Sequence, residues 1–477
     1  MKSIVLKIMT VGCIIWGSIS GAVFGQETYL LKDLSVPQII QDNPALTHPY
    51  LGHCALPGFG KINVGGTSFV NYGQIWHINN TLDKYMTSQH NGVGAWFSMD
   101  IIDFGFRVKD ANYFTVFSNL KAGGSLNVNK DLTNFLLKGN ANYEGKTMKF
   151  VGDDLLNFNL YAEFGVGYQR EINENISFGI NGKYIAGLYN LHTTQASVDF
   201  YTADNFEKLT VGVAAEAKMA GAVDLLPLFN YLLDTHTNKT MPSLSDMGIS
   251  TDILKNISHG FGIDLGFRYK VCNWFEFDIA ATDIGYIHWK GNAYQANIPQ
   301  KEFDFTGVGH DDIFEPHPNG MYDTLSFDNF FSALYDSVRN LATLDTFPIE
   351  SYNRWLNTRI NLSTYFYATE RDRFNLTFNG VFMGGKTFVP SGSISYSRQC
   401  GRWFEFVIGN TFKTSGWLNP GLGFNLRSDY FLFYCVVDYI NNPVYYDKMR
   451  NVNVVLGINF LAGRRDKAKV KTPSFMF

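Results

Sequence analysis

Polar and apolar residues alternate along most of this chain, and this pattern constrains the fold more than any other sequence feature. One segment places Phe158, Leu160, Ala162, Phe164, Val166 and Tyr168 on one face and Asn157, Asn159, Tyr161, Glu163, Gly165, Gly167 and Gln169 on the other. A β-strand has a side-chain period of two residues, so each such strand has one apolar and one hydrophilic face. In a membrane, strands of this kind satisfy all their backbone polar groups only when they close into a barrel. The pattern therefore predicts an all-β fold, a transmembrane antiparallel up-and-down β-barrel with lipid outside and a polar lumen.

The first residues have the organisation of a secretory signal peptide. A lysine-containing start precedes an apolar run from Ile8 to Ile19, and a short exit ends at Gly25. The sequence thus predicts a cleaved signal peptide over residues 1–25. Beyond it, no segment approaches the roughly 18 to 20 consecutive apolar residues that a membrane-spanning helix needs. Any span must be a strand, which predicts the outer membrane of a Gram-negative bacterium.

Charge and cysteine content exclude several classes of protein. The formal net charge of -4 argues against nucleic acid as a partner. Mean hydropathy is -0.09, which is compatible with a barrel because the lumen-facing half of each strand is polar. The cysteines beyond the predicted signal peptide are Cys54, Cys272, Cys400 and Cys435. Their spacing matches no metal site and no dense disulfide framework, and we expect no cofactor.

Turn-forming residues divide the predicted barrel into hairpins whose connections alternate between short and long. Short polar connections are predicted at 109–112, 170–175, 203–205, 270–273, 370–373, 398–401 and 427–429. Long ones cover roughly 70–92, 127–155, 220–257 and 290–353, with shorter ones near 190–195, 386–391, 414–417 and 441–450. Short periplasmic turns and long external loops are typical of outer-membrane barrels, and the pattern predicts about 16 strands, or about 14 if weak segments merge. Amphipathic stretches at 224–233 and 326–341 predict short helices in the external loops, which either pack on the barrel mouth or form a docking surface.

Two internal echoes place charged residues on the lumenal face. Asp103-Phe104-Gly105-Phe106-Arg107 recurs as Asp264-Leu265-Gly266-Phe267-Arg268, and Trp274-Phe275-Glu276-Phe277 recurs as Trp403-Phe404-Glu405-Phe406. In each echo the charged residues share the face opposite the large apolar ones, so they should point into the lumen. The predicted lumen-lining residues are Asp103, Arg107, Glu163, Lys183, Asp264, Arg268, Glu276, Asp278, Arg359 and Glu405. Two interpretations remain open, namely cross-strand ion pairs that fill the barrel and a solute path whose selectivity these charges tune.

Catalytic and metal-binding motifs are weak in this sequence. The histidines are scattered, and none lies in a recognisable nucleophile motif. His310, Asp311, Asp312, Glu315 and His317 offer oxygen and imidazole ligands for a divalent ion, but a solvated polar loop explains them better. We therefore expect neither an enzyme nor a metal site.

The order of several short motifs resembles one known family. They are Pro37-Gln38, Asn43-Pro44-Ala45-Leu46, Leu56-Pro57-Gly58, Phe104-Gly105-Phe106-Arg107, Gly145-Lys146-Thr147, Gly167-Tyr168 and the final strand at 451–460. Over about residues 30 to 462, the chain is similar to a Bacteroidota outer-membrane family catalogued as a domain of unknown function. That resemblance implies a barrel and supplies no catalytic residue. More remotely, Asn43-Pro44-Ala45 resembles a segment of long-chain fatty-acid transporter-like barrels and of gliding and type IX secretion barrels. There the N-terminal stretch folds as a plug, which makes Asn43 and Pro44 plug candidates, although an Asn-Pro pair also forms simple turns.

These observations predict a signal peptide at 1–25, a periplasmic N-terminal segment or plug at 26–59, a barrel at 60–462 and a basic periplasmic tail at 463–477. The predicted function is passive transport of small or amphiphilic solutes. The alternative is a scaffold or accessory barrel for surface assembly or secretion, with a filled lumen. Outer-membrane lipid and the barrel assembly machinery are the expected partners, with other envelope proteins as further candidates.

Overall fold

The computed structural model describes residues 28–68, 90–109, 111–129, 144–152, 155–203, 208–227, 243, 251–305, 345–384, 387–413, 416–439 and 449–464. Its strands are β1 (Tyr50–Ala55), β2 (Ile62–Ser68), β3 (His90–Val108), β4 (Asn112–Asn129), β5 (Thr147–Gly152), β6 (Leu156–Glu171), β7 (Ile176–Thr202), β8 (Leu209–Gly221), β9 (Ser258–Cys272), β10 (Phe275–Trp289), β11 (Tyr294–Phe305), β12 (Asp345–Pro348), β13 (Tyr352–Trp355), β14 (Thr358–Tyr367), β15 (Asp372–Met383), β16 (Thr387–Cys400), β17 (Phe404–Lys413), β18 (Gly416–Arg427), β19 (Phe431–Val437) and β20 (Asn451–Arg464). Leu31–Asp33 and Thr251–Asn256 are 3-10 helices, and Ile39–Asp42 is a short α-helix. No helix among these residues is both long enough and apolar enough to cross a membrane.

The strands form one antiparallel sheet that closes on itself. β20 pairs with β19 on one side and with β1 and β2 on the other, and β1 and β2 in turn pair with β3. β1 and β2 therefore share one position in the wall, as do β13 and β14, which both pair with β10. The closed barrel contains 14 strands. The predicted all-β antiparallel barrel is confirmed, with the lower of the two predicted strand counts.

The difference from sixteen strands arises at β7, which runs unbroken for 27 residues. Polar residues near 190–195 predicted a connection, but the strand continues and its second half pairs with β5 and β8. β8 pairs with β11, and β11 with β12, so these strands extend the wall beyond the barrel rim. Polar residues are tolerated on both faces of this extension because water reaches both of them partly.

The two ends of the barrel differ in their connections. Short turns join β3 to β4, β6 to β7, β9 to β10, β14 to β15, β16 to β17 and β18 to β19 at one end, named here the short-turn end. The opposite end is named the long-connection end. The predicted short turn at 203–205 belongs to the long-connection end instead, because β7 runs past the rim before it ends. The wall also begins at Tyr50, which pairs with Arg464, and this is earlier than the predicted boundary between residues 59 and 60.

The outer face of the wall is apolar and the inner face is polar. Val166 is 63% exposed on the outside, whereas Glu163 on the same strand is fully buried inside. Exposed tryptophans lie at both ends of the barrel: Trp274 and Trp403 at the short-turn end, Trp355 and Trp417 at the long-connection end. Apolar outer bands between aromatic girdles are the arrangement of outer-membrane proteins of Gram-negative bacteria. The fold is of that type.

Several predicted features lie outside the described residues. They are the signal peptide at 1–25, the helical stretch at 326–341, the histidine and acidic residues at 310–317 and the basic tail beyond Arg464. Of the amphipathic stretch at 224–233, only residues 224–227 are described.

Candidate functional site: the barrel lumen

Residues 28–49 lie inside the barrel and are named here the lumenal segment. Near the long-connection end, the backbone NH groups of Tyr29 and Leu30 donate to Asp438, just beyond β19, at 3.0 and 2.7 Å. At the short-turn end the segment continues into β1 at Tyr50. The segment therefore extends along the lumen from one end of the barrel towards the other.

Apolar side chains attach the lumenal segment to one part of the wall. The buried apolar cluster contains Leu30, Leu31, Leu34, Val36, Ile39, Ile40 and Leu46 of the segment together with Tyr50, Tyr113, Val407, Leu432, Tyr434, Val436, Val455 and Leu461 of the wall. Most of these wall residues lie on β17, β19 and β20, and these three strands are named the apolar sector. Burying one Leu or Ile side chain contributes about 1.5–3 kcal/mol. This cluster is therefore the strongest attachment of the segment.

Hydrogen bonds attach the start of the segment to β15 and β16. The carboxylate of Asp33 accepts from Ser395 Oγ at 2.5 Å and from Asn375 Nδ2 at 2.8 Å. The guanidinium of Arg373 donates to the backbone carbonyl of Asp33.

A second set of hydrogen bonds attaches the segment to β3 and β20. Gln38 Nε2 donates to Asn459 Oδ1 at 2.6 Å and to Asp103 Oδ2 at 3.1 Å. The other carboxylate oxygen of Asp103 lies 3.1 Å from Nε2 of His53, which also contacts the hydroxyl of Tyr113 through Nδ1 at 2.6 Å. The predicted lumen residue Asp103 thus holds the segment to the wall.

Asn43 fixes the segment against the opposite side of the lumen. Its Nδ2 donates to Asp278 Oδ1 on β10 at 2.8 Å, and its Oδ1 accepts from the NH of Ala45 at 2.9 Å. The second bond is a local turn closed by the side chain of Asn43. The sequence left a plug and a simple turn as alternatives for Asn43, and its side chain both closes a turn and holds the lumenal segment to the wall.

Glycines on β7 and β9 make room for this turn. A Cβ atom at Gly179 would lie 2.1 Å from the carbonyl oxygen of Pro44, and one at Gly266 would lie 2.2 Å from Oδ1 of Asn43. Only a residue without a Cβ atom allows the two backbones to approach so closely. The close contact with the lumenal segment therefore explains why the Asp-Leu-Gly-Phe-Arg echo has a glycine at position 266. Gly179 and Gly266 are named the glycine seat.

A buried carboxylate, Asp283, organises the middle of the lumen. It lies 2.5 Å from Lys183 Nζ, 2.6 Å from Arg359 Nη2 and 3.6 Å from Lys121 Nζ. Its backbone is in the left-handed region, with φ at 58°, and β10 changes register between Ala281 and Ile284. This irregularity turns Asp283 inward. Strained backbone of this kind often accompanies a functional position.

Two further ion pairs complete the group around Asp283. Lys183 Nζ lies 2.7 Å from Asp264 Oδ1, and Lys121 Nζ lies 2.8 Å from Glu163 Oε1. The charge cluster is defined as Lys121, Glu163, Lys183, Asp264, Asp283 and Arg359. Its cations and anions are equal in number, so no net formal charge is buried here.

The remaining predicted lumen residues lie nearer the short-turn end. Arg268 forms a two-point ion pair with Glu276, in which Nη2 and Oε2 lie 2.6 Å apart. Arg107 donates to Glu171 at 2.9 Å, and Glu405 accepts from the NH of Ser35 at 2.9 Å. All ten predicted lumen residues therefore point inward, but in two groups. The residues of one group contact the lumenal segment or lie close to the short-turn end of the barrel. Those of the other group belong to the charge cluster.

His48, in the lumenal segment, is buried, and its ring lies edge-on to that of His53 with centroids 5.9 Å apart. Its ring contacts the Tyr113 ring edge-on, with centroids 4.4 Å apart. His48 thus packs as an aromatic residue against Tyr113 of the wall.

Narrow cavities remain between the lumenal segment and the charge cluster. One is lined by Gln41 and Asp42 of the segment and by Lys121, Glu163 and Arg359, among other wall residues. Another lies beside it, against Asn43, Asp278 and Arg359. Both have room for water-sized occupants only. Towards the long-connection end, the charge cluster is covered by an apolar cluster of Ile185, Ala220, Ile287, Trp289, Ala293 and Leu356.

Sequence reasoning missed several important lumen residues. Lys121 follows the alternation of β4 and could have been found by it. Asp283 could not, because strict alternation along β10 places it on the lipid face. Asp33 lies outside the strands and Lys413 is the last residue of β17. The sequence contains no pattern that would have indicated that either residue lies in the lumen. Within the described residues, no group of three or more His, Cys, Asp or Glu side chains could hold a metal ion.

Comparison with known proteins identifies a family and a set of similar barrels. No curated protein matches the chain. Similar solved structures include the toluene transporter TbuX of Ralstonia pickettii, with 9% identity and a TM-score of 0.42 over 90% of this chain and 94% of that chain. The toluene transporter TodX of Pseudomonas putida has 7% identity and a TM-score of 0.37 over 90% and 93%. A FadL homologue of Pseudomonas aeruginosa has 9% identity and a TM-score of 0.35 over 89% and 93%.

The predicted resemblance to a family without an assigned function is confirmed. Residues 44–438 match a family whose description is Family of unknown function (DUF5723). The match runs from Pro44, which contacts the glycine seat, to Asp438, which accepts from the start of the lumenal segment, and therefore includes most of the barrel wall. The chain belongs to the Family of unknown function (DUF5723).

Proposed function

We propose that the protein is a passive channel for small or amphiphilic solutes, gated by the lumenal segment. The observation that carries this proposal is the way in which the lumen is filled. Small barrels of about eight strands fill their interior with wall side chains alone. This wider barrel is filled instead by a separate segment that is held by non-covalent contacts and continues into the wall at Tyr50. A separate segment can move aside while the wall stays intact.

The contacts of the segment favour one side for opening. Towards the apolar sector the segment is held by buried Leu and Ile side chains. Towards β7, β9 and β10 it is held mainly by hydrogen bonds such as Asn43 to Asp278, and cavities already lie there. A hydrogen bond exchanged for water costs only about 0.5–1.5 kcal/mol. We therefore place the solute path between the segment and the charge cluster.

The lining of that path suits an amphiphilic solute, because it contains both charged and apolar side chains. The charge cluster offers both ammonium or guanidinium donors and carboxylate acceptors. The apolar cluster of Ile185, Ile287 and Leu356 follows directly towards the long-connection end. A polar head group can therefore pair with the charges while a short carbon chain contacts the apolar residues. Charges at such a constriction set selectivity.

A scaffold or accessory barrel is the second candidate. The wall extension formed by β5, β8, β11 and β12 beyond the rim favours it, because among the described residues β5 and β12 each pair with a strand on one side only, and such an edge can bind a strand of a partner protein. In this function the lumen stays permanently filled and no solute passes. Outer-membrane lipid surrounds the barrel in both cases.

A reversible crosslink between segment and wall separates the two functions. Asn43→Cys with Asp278→Cys, in a chain whose other cysteines are serine, should form a disulfide across the side proposed to open, because the native side-chain atoms are 2.8 Å apart. We expect oxidation to reduce solute entry into proteoliposomes by about tenfold, and reduction to restore it, because closing lids gate passage. Liposome swelling with small sugars and amino acids measures this directly.

The two single cysteine variants are the controls, since they lose the same hydrogen bond but cannot be crosslinked. Deletion of residues 28–46 is the complementary test and should produce steady conductance in planar bilayers. Silence of the native protein, of the reduced variant and of the deletion, all with normal heat-modifiable migration on gels, would favour the scaffold and defeat the channel.

A further inference from the structure

The ammonium group of Lys413 lies within a cage of aromatic rings near the long-connection end. Its Nζ is 3.7 Å from the ring centroid of Tyr439, 5.6 Å from that of Tyr29 and 5.8 Å from that of Trp96. All four residues are at most 4% exposed. An ammonium surrounded by aromatic faces is attracted by their quadrupoles, and the attraction is strongest when water is excluded.

Two rings of the cage are fixed by hydrogen bonds that do not involve Lys413, and Tyr439 packs edge-on against Tyr29 with centroids 6.0 Å apart. Trp96 Nε1 donates to Asn453 Oδ1 at 2.9 Å, and the Tyr29 hydroxyl donates to Ser391 Oγ at 2.7 Å. Gly65 lies beneath the indole, where a Cβ atom would approach within 2.3 Å. The rings are therefore preorganised, whereas the ammonium is carried on a flexible four-carbon stem. Of the two, the ammonium is the part that can exchange.

A carboxylate completes the set of groups that recognises an organic cation. Asp438 follows β19, directly precedes Tyr439 of the cage and is fully buried. Its position is held by the NH groups of Tyr29 and Leu30 and by Asn453 Nδ2, which donates at 3.1 Å. Aromatic faces together with a fixed carboxylate are the chemistry that binds alkylammonium groups.

We propose that Tyr29, Trp96, Tyr439 and Asp438 form a binding site for a small alkylammonium group, which in this state is filled by the protein's own Lys413. Lys413 is the last residue of β17 and lies at the long-connection end, so its stem leaves the cage towards the rim. An external ammonium competes with a tethered one whose effective concentration is about millimolar, so the native protein binds its ligand weakly. Tyr29 belongs to the lumenal segment, so ligand exchange also alters how the segment is held. That consequence rests on the proposed channel function, whereas the binding itself does not.

Removal of the tethered competitor tests the site. Lys413→Ala, in the full-length protein in detergent micelles, should bind tetramethylammonium about tenfold more tightly than the native protein does. Line broadening of the tetramethylammonium proton resonance on titration measures the affinity. Lys149→Ala, which removes a lysine whose side chain is 61% exposed, is the matched control and should leave the affinity unchanged.

The aromatic cage itself is tested by Tyr439→Leu, both alone and combined with Lys413→Ala. Each should lose tetramethylammonium binding, and the single variant keeps the test decisive if Lys413→Ala does not fold. Equal affinity in the native protein and Lys413→Ala, or binding that survives Tyr439→Leu, would overturn the site. If the native protein binds tetramethylammonium but passes no solute into proteoliposomes, that result would instead count against the proposed channel alone.

Discussion

Replacing Asp283 with asparagine is expected to lower the free energy of unfolding of the barrel by about 3–5 kcal/mol, the usual cost of removing one partner from a buried ion pair. Asp283 is the anion shared by Lys121, Lys183 and Arg359. Without it, the charge cluster contains an uncompensated buried positive charge. The remaining carboxylates, Asp264 and Glu163, already pair with the two lysines and cannot replace it.

The substitution with asparagine removes the charge of residue 283 but leaves its backbone conformation unchanged. The φ of 58° at this position strains most residues, but asparagine tolerates the left-handed region nearly as well as aspartate does. Its side chain also has almost the same volume. The measured loss therefore reports the missing charge and not a distorted bulge.

Asp199→Asn provides the matched control, because it breaks a single ion pair whose lysine is exposed. Asp199 lies 3.7 Å from Lys149, whose side chain is 61% exposed. Exposed pairs of this kind contribute about 0–1 kcal/mol. Equilibrium unfolding in urea, followed in lipid vesicles, compares the two variants. If Asp283→Asn is no more destabilising than Asp199→Asn, the charge cluster is not held together by this carboxylate.

The alternation of the sequence predicted which residues face the lumen wherever the strands are regular. In the Asp-Leu-Gly-Phe-Arg echo, Leu265 and Phe267 are exposed to the outside while Asp264 is fully buried. Since the period of a strand is two, an assignment of one residue determines all others on that strand. This is why the ten predicted lumen residues all point inward.

The same rule explains what the sequence could not reveal. The irregularity between Ala281 and Ile284 changes the phase of β10, so Asp283 joins the lumen against the alternation. The fourteen-strand count depends on β7 continuing past the rim, and no local signal distinguishes a strand in water from a polar loop. The position of the lumenal segment depends on contacts between residues hundreds of positions apart, such as Tyr29 with Ser391.

The glycine seat offers the second large effect. A Cβ atom at Gly179 would lie 2.1 Å from the carbonyl oxygen of Pro44, and this oxygen belongs to backbone that cannot rotate away. Gly179→Ala should therefore displace the Asn43-Pro44 turn from the wall. Overpacking of this kind costs about 1–3 kcal/mol, which shifts the balance between seated and displaced segment by about 5- to 150-fold.

Accessibility of the lumenal segment measures this shift without assuming a channel. A cysteine placed at Ala45, which is fully buried, in a chain whose other cysteines are serine, should react with a water-soluble maleimide much faster when Gly179→Ala is present. Proteoliposome swelling then asks separately whether displacement opens a path. The two measurements distinguish a loosened segment from a conducting lumen.

Gly182 provides a control on the same strand. A Cβ atom there meets nothing within 4 Å, because Gly182 lies on the outer face of β7. Gly182→Ala removes the same backbone freedom from β7 but adds no contact with the lumenal segment. Labelling at residue 45 should therefore increase in Gly179→Ala and stay at the native rate in Gly182→Ala. If both variants label alike, the close approach of Pro44 to β7 does not hold the segment, and its attachment must come from the apolar cluster and the hydrogen bonds to other strands.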